Sequence, residues 1–296
     1  MNFVKKNQII NLLLSLIIPL LIWGPFFPDL IVSFSALFFL YNRFNNNNFY
    51  YFNNKPFIIF LLFLIIIIVS SLEAVDVSQS IISSLAYFRI GVFSCLVWYL
   101  IENDRSILNY FYYILVICFS ALVIDGYLQF FTGLNIIGLA KSGVRISSFF
   151  GDELIMGSYL SRLFPLLFAL FLIKKKIKYE MYYIGVLFIL VDILIYISAE
   201  RTSFVFLNLS TLFIIILIKD YQKFRLITFL IALILIIGLT FASDNLSNRM
   251  IKGPAQSMGF AKDSQTKNIF TPTHDSLIKT AFNMFKDQPI LGHGPK

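Results

Sequence analysis

Polar and apolar positions in this chain come in long blocks rather than in residue-by-residue alternation. Nine apolar blocks cover residues 9–23, 30–41, 56–72, 81–101, 107–131, 152–173, 179–197, 203–218 and 226–241. Blocks of this length predict membrane-crossing helices, each of which needs about 20 mostly apolar residues. The first two blocks are short, and the aromatic residues flanking them complete the crossing. Polar interruptions separate the blocks: a turn at 24–29, a loop at 42–55 with the asparagine run 45–48, and a very tight turn at 198–202. From residue 242 the chain is polar. There, Leu277, Ile278, Ala281, Phe282 and Phe285 recur at helical spacing, with Thr273 as candidate N-cap and Pro289 as the stop. This amphipathic helix either lies on the membrane face or packs over the mouth of the bundle. The second is the expectation, because the helix is only mildly basic and lacks Trp. The expected fold is thus all-α: a polytopic bundle of about nine transmembrane helices over 1–241, then an outer segment over 242–296 carrying one amphipathic helix.

Composition strengthens that picture. Charged residues make up 14% of the chain and hydrophobic residues 58%, against roughly 25% charged in an average soluble domain. Mean hydropathy is +0.80. The formal net charge of +8 does not call for nucleic acid, because the basic residues fall in short loops between spans. One set of loops holds Lys5, Lys6, Arg43, Lys55, Arg105, Lys174, Lys175, Lys176, Lys178, Lys219, Lys223 and Arg225; the opposite set holds only Lys141, Arg145 and Arg201. The positive-inside rule then places the N-terminus in the cytoplasm and the Arg145 loop, the Arg201 turn and the tail outside. Cys95 and Cys118 fall inside apolar blocks and read as packing residues. The first block ends in Trp23-Gly-Pro without a small-residue cleavage site, so it is expected to be an uncleaved span.

The candidate chemistry sits in two polar islands. One runs from Arg145 through Asp152 and Glu153 to Arg162; the other is Ser198-Ala-Glu-Arg-Thr-Ser203, with Glu200 and Arg201. Ionisable groups at the membrane boundary face a cavity or a partner, or are merely solvated loop ends. A guanidinium is permanently charged and offers a planar fork to phosphate oxygens, so Arg201, Arg145 and Arg162 suit a lipid-borne diphosphate. A structural Arg–Glu pair is the competing account. Asp192, Tyr196 and Glu200 share one face at i, i+4 and i+8. Asp192 needs a partner, for which Arg162 and Arg89 are candidates; Arg89 itself either snorkels or lines a cavity. His274, at a helix start, is a candidate general base, though a lone loop histidine is more often just solvated. His293 lies in a turn. The chain has no phosphate-binding G-x-x-x-x-G-K-[ST], no H-E-x-x-H and no G-x-S-x-G.

Three stretches, in order, resemble the bacterial O-antigen ligase/polymerase family: Arg145-Ile-Ser-Ser-Phe-Phe-Gly-Asp-Glu-Leu-Ile-Met-Gly-Ser-Tyr-Leu-Ser-Arg-Leu-Phe-Pro165, Ser198-Ala-Glu-Arg-Thr202, and Thr280-Ala-Phe-Asn-Met-Phe-Lys-Asp-Gln-Pro-Ile-Leu-Gly-His-Gly-Pro-Lys296. The resemblance implies an inner-membrane glycosyltransferase with a GT-C-like bundle and a periplasmic site. Its donor would be a glycan on undecaprenyl diphosphate; its acceptor would be the lipid A core for a ligase, or another carrier-linked repeat for a polymerase. Its surroundings are membrane lipids, and no metal or nucleoside triphosphate is implied. Arg201, and with it Arg145, would contact the diphosphate, while Asp152, Glu153, Asp192 and Glu200 would line the cavity. The resemblance also implies that the catalytic base follows the Gly292-His-Gly-Pro295 motif, beyond Lys296. The 296-residue chain is therefore expected to bind a lipid diphosphate without transferring glycan. A flippase for the same lipids is the rival from another class; it would carry internal repeats and broken spans, and neither is evident.

Overall fold

The computed structural model describes residues 3–174, 178–258 and 270–294. In chain order the helices are α1 (Phe3–Ser15), α2 (Ile17–Trp23), α3 (Phe26–Asn45), α4 (Lys55–Ser70), α5 (Val77–Ala86), α6 (Phe88–Asn103), α7 (Ser106–Thr132), α8 (Met156–Ile173), α9 (Lys178–Ile197), α10 (Arg201–Leu217), α11 (Gln222–Ala242), the short α12 (Asp244–Ser247) and α13 (Gly253–Ser257), and α14 (Pro272–Asp287). No strand occurs among the described residues; two isolated bridges pin the loop after α7. Lys175, Lys176, Pro295 and Lys296, and the side chains of Lys5, Lys6 and Lys178, lie outside the described residues.

Six stretches are long and apolar enough to cross a membrane: Lys55–Glu73, Val77–Asn103, Ser106–Thr132, Met156–Ile173, Tyr179–Ile197 and Lys219–Ala242. The chain is a helical, multi-pass membrane protein. Three of the nine expected spans fall short of this standard. Gln8–Trp23 and Arg201–Leu217 are shorter apolar helices, and 30–41 is embedded in α3, which carries Asp29 in its first turn and Arg43 in its last. The sixth span also starts later than its hydropathy suggests. Residues 151–155 are not helical, and α8 begins at Met156.

The chain forms two compact units, Met1–Ile107 with Ile269–Lys296, and Leu108–Asn268. In the first, α4 starts where the Asn54 side chain accepts from the Phe57 amide at 2.8 Å, and α5 where Asp76 accepts from Gln79 at 3.0 Å; both are ordinary N-caps. Arg89 does not serve Asp192. Its guanidinium reaches α3, at 2.7 Å from Asp29 and 2.9 Å from the Ser33 hydroxyl. Asn11 on α1 donates to Asp104 at 2.9 Å and to Ser106 at 3.1 Å. Burial alone would raise the Asp104 pKa, but the bonds from Ser106 and Asn11 prevail and hold it below the usual value.

The tail helix α14 departs from expectation in two ways. Its N-cap is Thr271, not Thr273, because Pro272 takes the first helical turn, where a missing N–H costs nothing. Nor is it packed over a bundle mouth: Leu277 is 63% exposed and Phe285 60%. Only its far end is fastened. Ser70 at the end of α4 donates to the Leu291 carbonyl. Gly294 (φ +77°) sits so close that an added Cβ would lie 2.7 Å from the Ala74 Cβ. Only glycine combines that conformation with that approach.

In the second unit, Phe164, Phe168, Phe171, Phe188 and Phe224 pack ring to ring among α8, α9 and α11. Arg225 belongs to this interior and not to a basic loop. It lies one turn inside α11 and is 0% exposed. Its guanidinium grips Asp192 on α9 at 2.8 and 3.0 Å, donates to the Thr211 hydroxyl on α10, and lies over the Phe164 ring at 4.5 Å. The partner of Asp192 is thus Arg225, neither Arg162 nor Arg89. One buried ion pair joins four helices, and every contact is charge-assisted or cation–π.

Candidate functional site

The polar groups of the second unit gather where α7 and α9 end and α8 and α10 begin. The loop 133–150 would leave backbone groups unpaired if it lay against the helices unaided. Three side chains supply the partners. Asp125, fully buried near the end of α7, accepts from the Ile136 amide at 2.7 Å and from the Ser148 hydroxyl. One turn on, Gln129 accepts from the amides of Ser147 and Ser148 at 3.1 and 2.8 Å and donates to the Leu139 carbonyl. Asn135 accepts from Ile137 and Leu139 and donates to the Ser148 carbonyl at 3.0 Å. Arg145 then emerges from a tight turn with Ser142, and one end of its guanidinium donates to the Leu154 carbonyl at 2.7 Å.

The turn between α9 and α10 is equally fixed. Ala199 takes a left-handed conformation (φ +59°), Ser198 donates its hydroxyl to Ile195, and Glu200 is extended as the residue before α10. The Glu200 carboxylate reaches across to the start of α8. It accepts from the Gly157 amide at 2.7 Å, the Ser158 amide and hydroxyl at 3.0 Å each, and the Ser203 hydroxyl at 2.9 Å. These are first-turn N–H groups with no intrahelical acceptor, and a carboxylate there also meets the positive end of the helix dipole. Gly157 is required for this: an added Cβ would stand 2.6 Å from the Ser198 hydroxyl and 3.0 Å from Glu200. Glu200 is therefore a structural anion whose protein donors fill its oxygens.

Arg201, the next residue, is different. It is half-buried at the first position of α10, and it makes no hydrogen bond or ion pair with any described residue. A cation at a helix N-terminus is disfavoured by the dipole. Arg145 uses part of its fork on Leu154, and its Nε is buried without a partner. Leu154 is three residues before Gly157, so the Arg145 and Glu200 anchors both fasten to the start of α8. The arrangement can present two guanidinium groups, one wholly free and one partly free, at one end of the unit.

Of the remaining expected residues, those of this unit are not drawn into the group. Asp152 and Glu153 are exposed in the turn before α8, and Arg162 is exposed on α8. Asp192 is engaged with Arg225. His274 belongs to the other unit, where its ring nitrogen lies 2.6 Å from the Thr271 hydroxyl. His293 is 3.5 Å from Asp287 and 3.3 Å from the Met284 carbonyl. Sequence reasoning missed Gln129, Gly157 and the role of Asp125. The signal available was the Asp125/Gln129 pair at i, i+4 closing an otherwise apolar helix. No protein-family model, curated protein or solved structure matches this chain.

Proposed function

We propose that this protein is a membrane glycosyltransferase of the O-antigen ligase kind, which moves a glycan from undecaprenyl diphosphate to an acceptor sugar such as the lipid A core. In this reading the chain crosses the membrane about nine times in a GT-C-like bundle with its N-terminus in the cytoplasm. The polar end of the second unit and the tail then lie in the periplasm. The observation that carries the proposal is the unpaired Arg201 guanidinium, held on a turn that Glu200 locks to α8. The turn that bears this cation is already fixed, so an arriving diphosphate has only the Arg201 side chain to order. Arg145 adds a second donor. The acceptor hydroxyl attacks the anomeric carbon, the bond from that carbon to the diphosphate oxygen breaks, and the hydroxyl proton passes to a base. Two guanidinium groups stabilise the departing diphosphate more strongly in this water-poor setting than they would in bulk water.

The test uses protein in nanodiscs with a labelled undecaprenyl-diphosphate glycan. Arg201→Gln is expected to weaken donor binding about 10–100-fold, the worth of a charge-assisted fork, and Arg201→Lys to recover only part of it. Unchanged binding in both Arg201→Gln and Arg145→Gln would remove the basis of the assignment. With acceptor present, donor binding without release of undecaprenyl diphosphate is the expected result for these 296 residues; release would identify transfer, and relocation of intact donor across a vesicle would identify a flippase. Cysteines placed at Lys141 and Lys223 should label from opposite sides.

A further inference from the structure

In the first unit, α1, α3 and α6 leave a groove of about 440 Å³, within the range of small-molecule sites. Its length is apolar, walled by Leu13, Phe34 and Leu96, and its polar end is formed by Asn42, Arg43 and Asn46. Arg43 is the unusual member. Its guanidinium lies 4.3 Å from the centre of the Tyr99 ring and 5.1 Å from that of Phe39. It makes no hydrogen bond or ion pair with any described residue, and its Nε is buried without a partner. Asn42 already donates to the Phe38 carbonyl at 2.9 Å, so Asn46 supplies the free amide. Stacking on aromatic rings fixes the plane of a guanidinium while leaving its outer edge to donate.

We infer that this groove binds an anionic glycerophospholipid, with its phosphate on Arg43 and Asn46 and an acyl chain laid along Leu13, Phe34 and Leu96. Charge complementarity selects this occupant. Among the described residues the groove offers one cation without an acidic partner, at the mouth of an apolar trough, and a lipid with a negative headgroup supplies both halves. The same end of the unit carries Lys55 at the start of α4 and Arg105 after α6. Loops rich in Lys and Arg mark the cytoplasmic side, and anionic lipid headgroups in that leaflet attract them. The inference rests on this unit alone and is independent of glycan transfer.

The test is native mass spectrometry of the full chain in detergent, titrated with dioleoyl phosphatidylglycerol, dioleoyl phosphatidylcholine or glycerol 3-phosphate. One phosphatidylglycerol should be retained about tenfold more tightly than phosphatidylcholine, the worth of a charge-assisted contact. Arg43→Gln should abolish that preference. Ser35→Trp, which fills the trough and leaves Arg43 in place, should weaken both lipids. Thermal melting of each variant verifies folding, and either variant alone suffices to decide. Equal retention of the two lipids, or phosphatidylglycerol retention unchanged by whichever variant folds, would overturn the inference. So would glycerol 3-phosphate competing as well as the whole lipid, since that would mark an anion site with no use for the trough.

Discussion

The middle of the second unit and its polar end both contain arginine, and the two arginines are treated differently. In the middle, Arg225 is wholly buried, and its terminal nitrogens are engaged by Asp192 and Thr211 over the Phe164 ring. At the polar end, Glu200 is just as fully engaged, by α8, while Arg201 beside it has no hydrogen-bond or ion-pair partner among the described residues. The contrast separates two meanings of an intramembrane charge. A charge paired with an opposite charge inside the protein, as Arg225 is with Asp192, holds helices together. A charge held rigid and left unmet is available to a ligand. Depth does not tell them apart; the hydrogen-bond account does.

That contrast can be broken most forcefully at Asp192. Asp192→Ala or Arg225→Ala, each leaving a buried unpaired charge, should cost about 3–5 kcal/mol in detergent unfolding titrations. The double replacement Asp192→Leu/Arg225→Met should recover most of that loss, and failure to recover would mean that the pair does more than hold helices. Glu200→Ala should cost about 2–3 kcal/mol through the orphaned α8 donors, and should lower donor binding as well by freeing the Arg201 turn. Gly157→Ala is expected to cost about 1–3 kcal/mol for the same reason, read by the same two assays. Arg201→Gln should leave stability within about 0.5 kcal/mol of wild type, and on the favourable side, because it removes a cation from a helix N-terminus. Its binding loss should nevertheless be the largest of the set.

The smallest effect concerns Lys174, at the opposite end of α8, which bonds Glu180 at 2.7 Å and the Tyr113 hydroxyl at 2.9 Å. Burial works against its charge, but these two bonds prevail and raise its pKa. Its contribution to stability is then complete below about pH 10.4, the unfolded value, and is lost as pH rises through the higher folded value. Lys174→Met should flatten that alkaline decline.

Helix positions were legible because apolar length is a local property of the chain. The blocks at 56–72, 81–101, 107–131, 179–197 and 226–241 reappear within candidate spans, and 152–173 reappears from Met156 onward. Boundaries were less so. Leu154 and Ile155 are apolar and read as span, yet they form the non-helical approach to α8, where Leu154 gives its carbonyl to Arg145. Partners were not legible at all. Arg225 looked like a loop cation because it follows Lys219 and Lys223, and only the packing of α9 against α11 brings it to Asp192. The polar stripe of Asp192, Tyr196 and Glu200 holds for its first two members only: Glu200 lies beyond the end of α9 at Ile197, extended after the left-handed Ala199. The three residues serve three different neighbours: Arg225, Thr240 and the start of α8. Arg201 and Arg145 could be singled out early because a fork-shaped cation in a short turn is unusual by composition alone; that Arg201 lacks a partner needed coordinates.

The Asp192–Arg225 pair also has a consequence for biosynthesis. The two residues are 33 positions apart and reside in different helices. At about 5–20 residues per second of chain growth, α9 is made roughly 2–7 s before its counter-charge. During that interval an aspartate near the centre of an inserting helix carries an apparent penalty of about 2.5–3.5 kcal/mol. Nascent α9 is therefore expected to gain from staying in contact with α7 and α8 until α11 arrives. The two helices become committed to the bilayer together, and chains arrested between α9 and α11 should be extracted far more readily than those arrested just beyond α11.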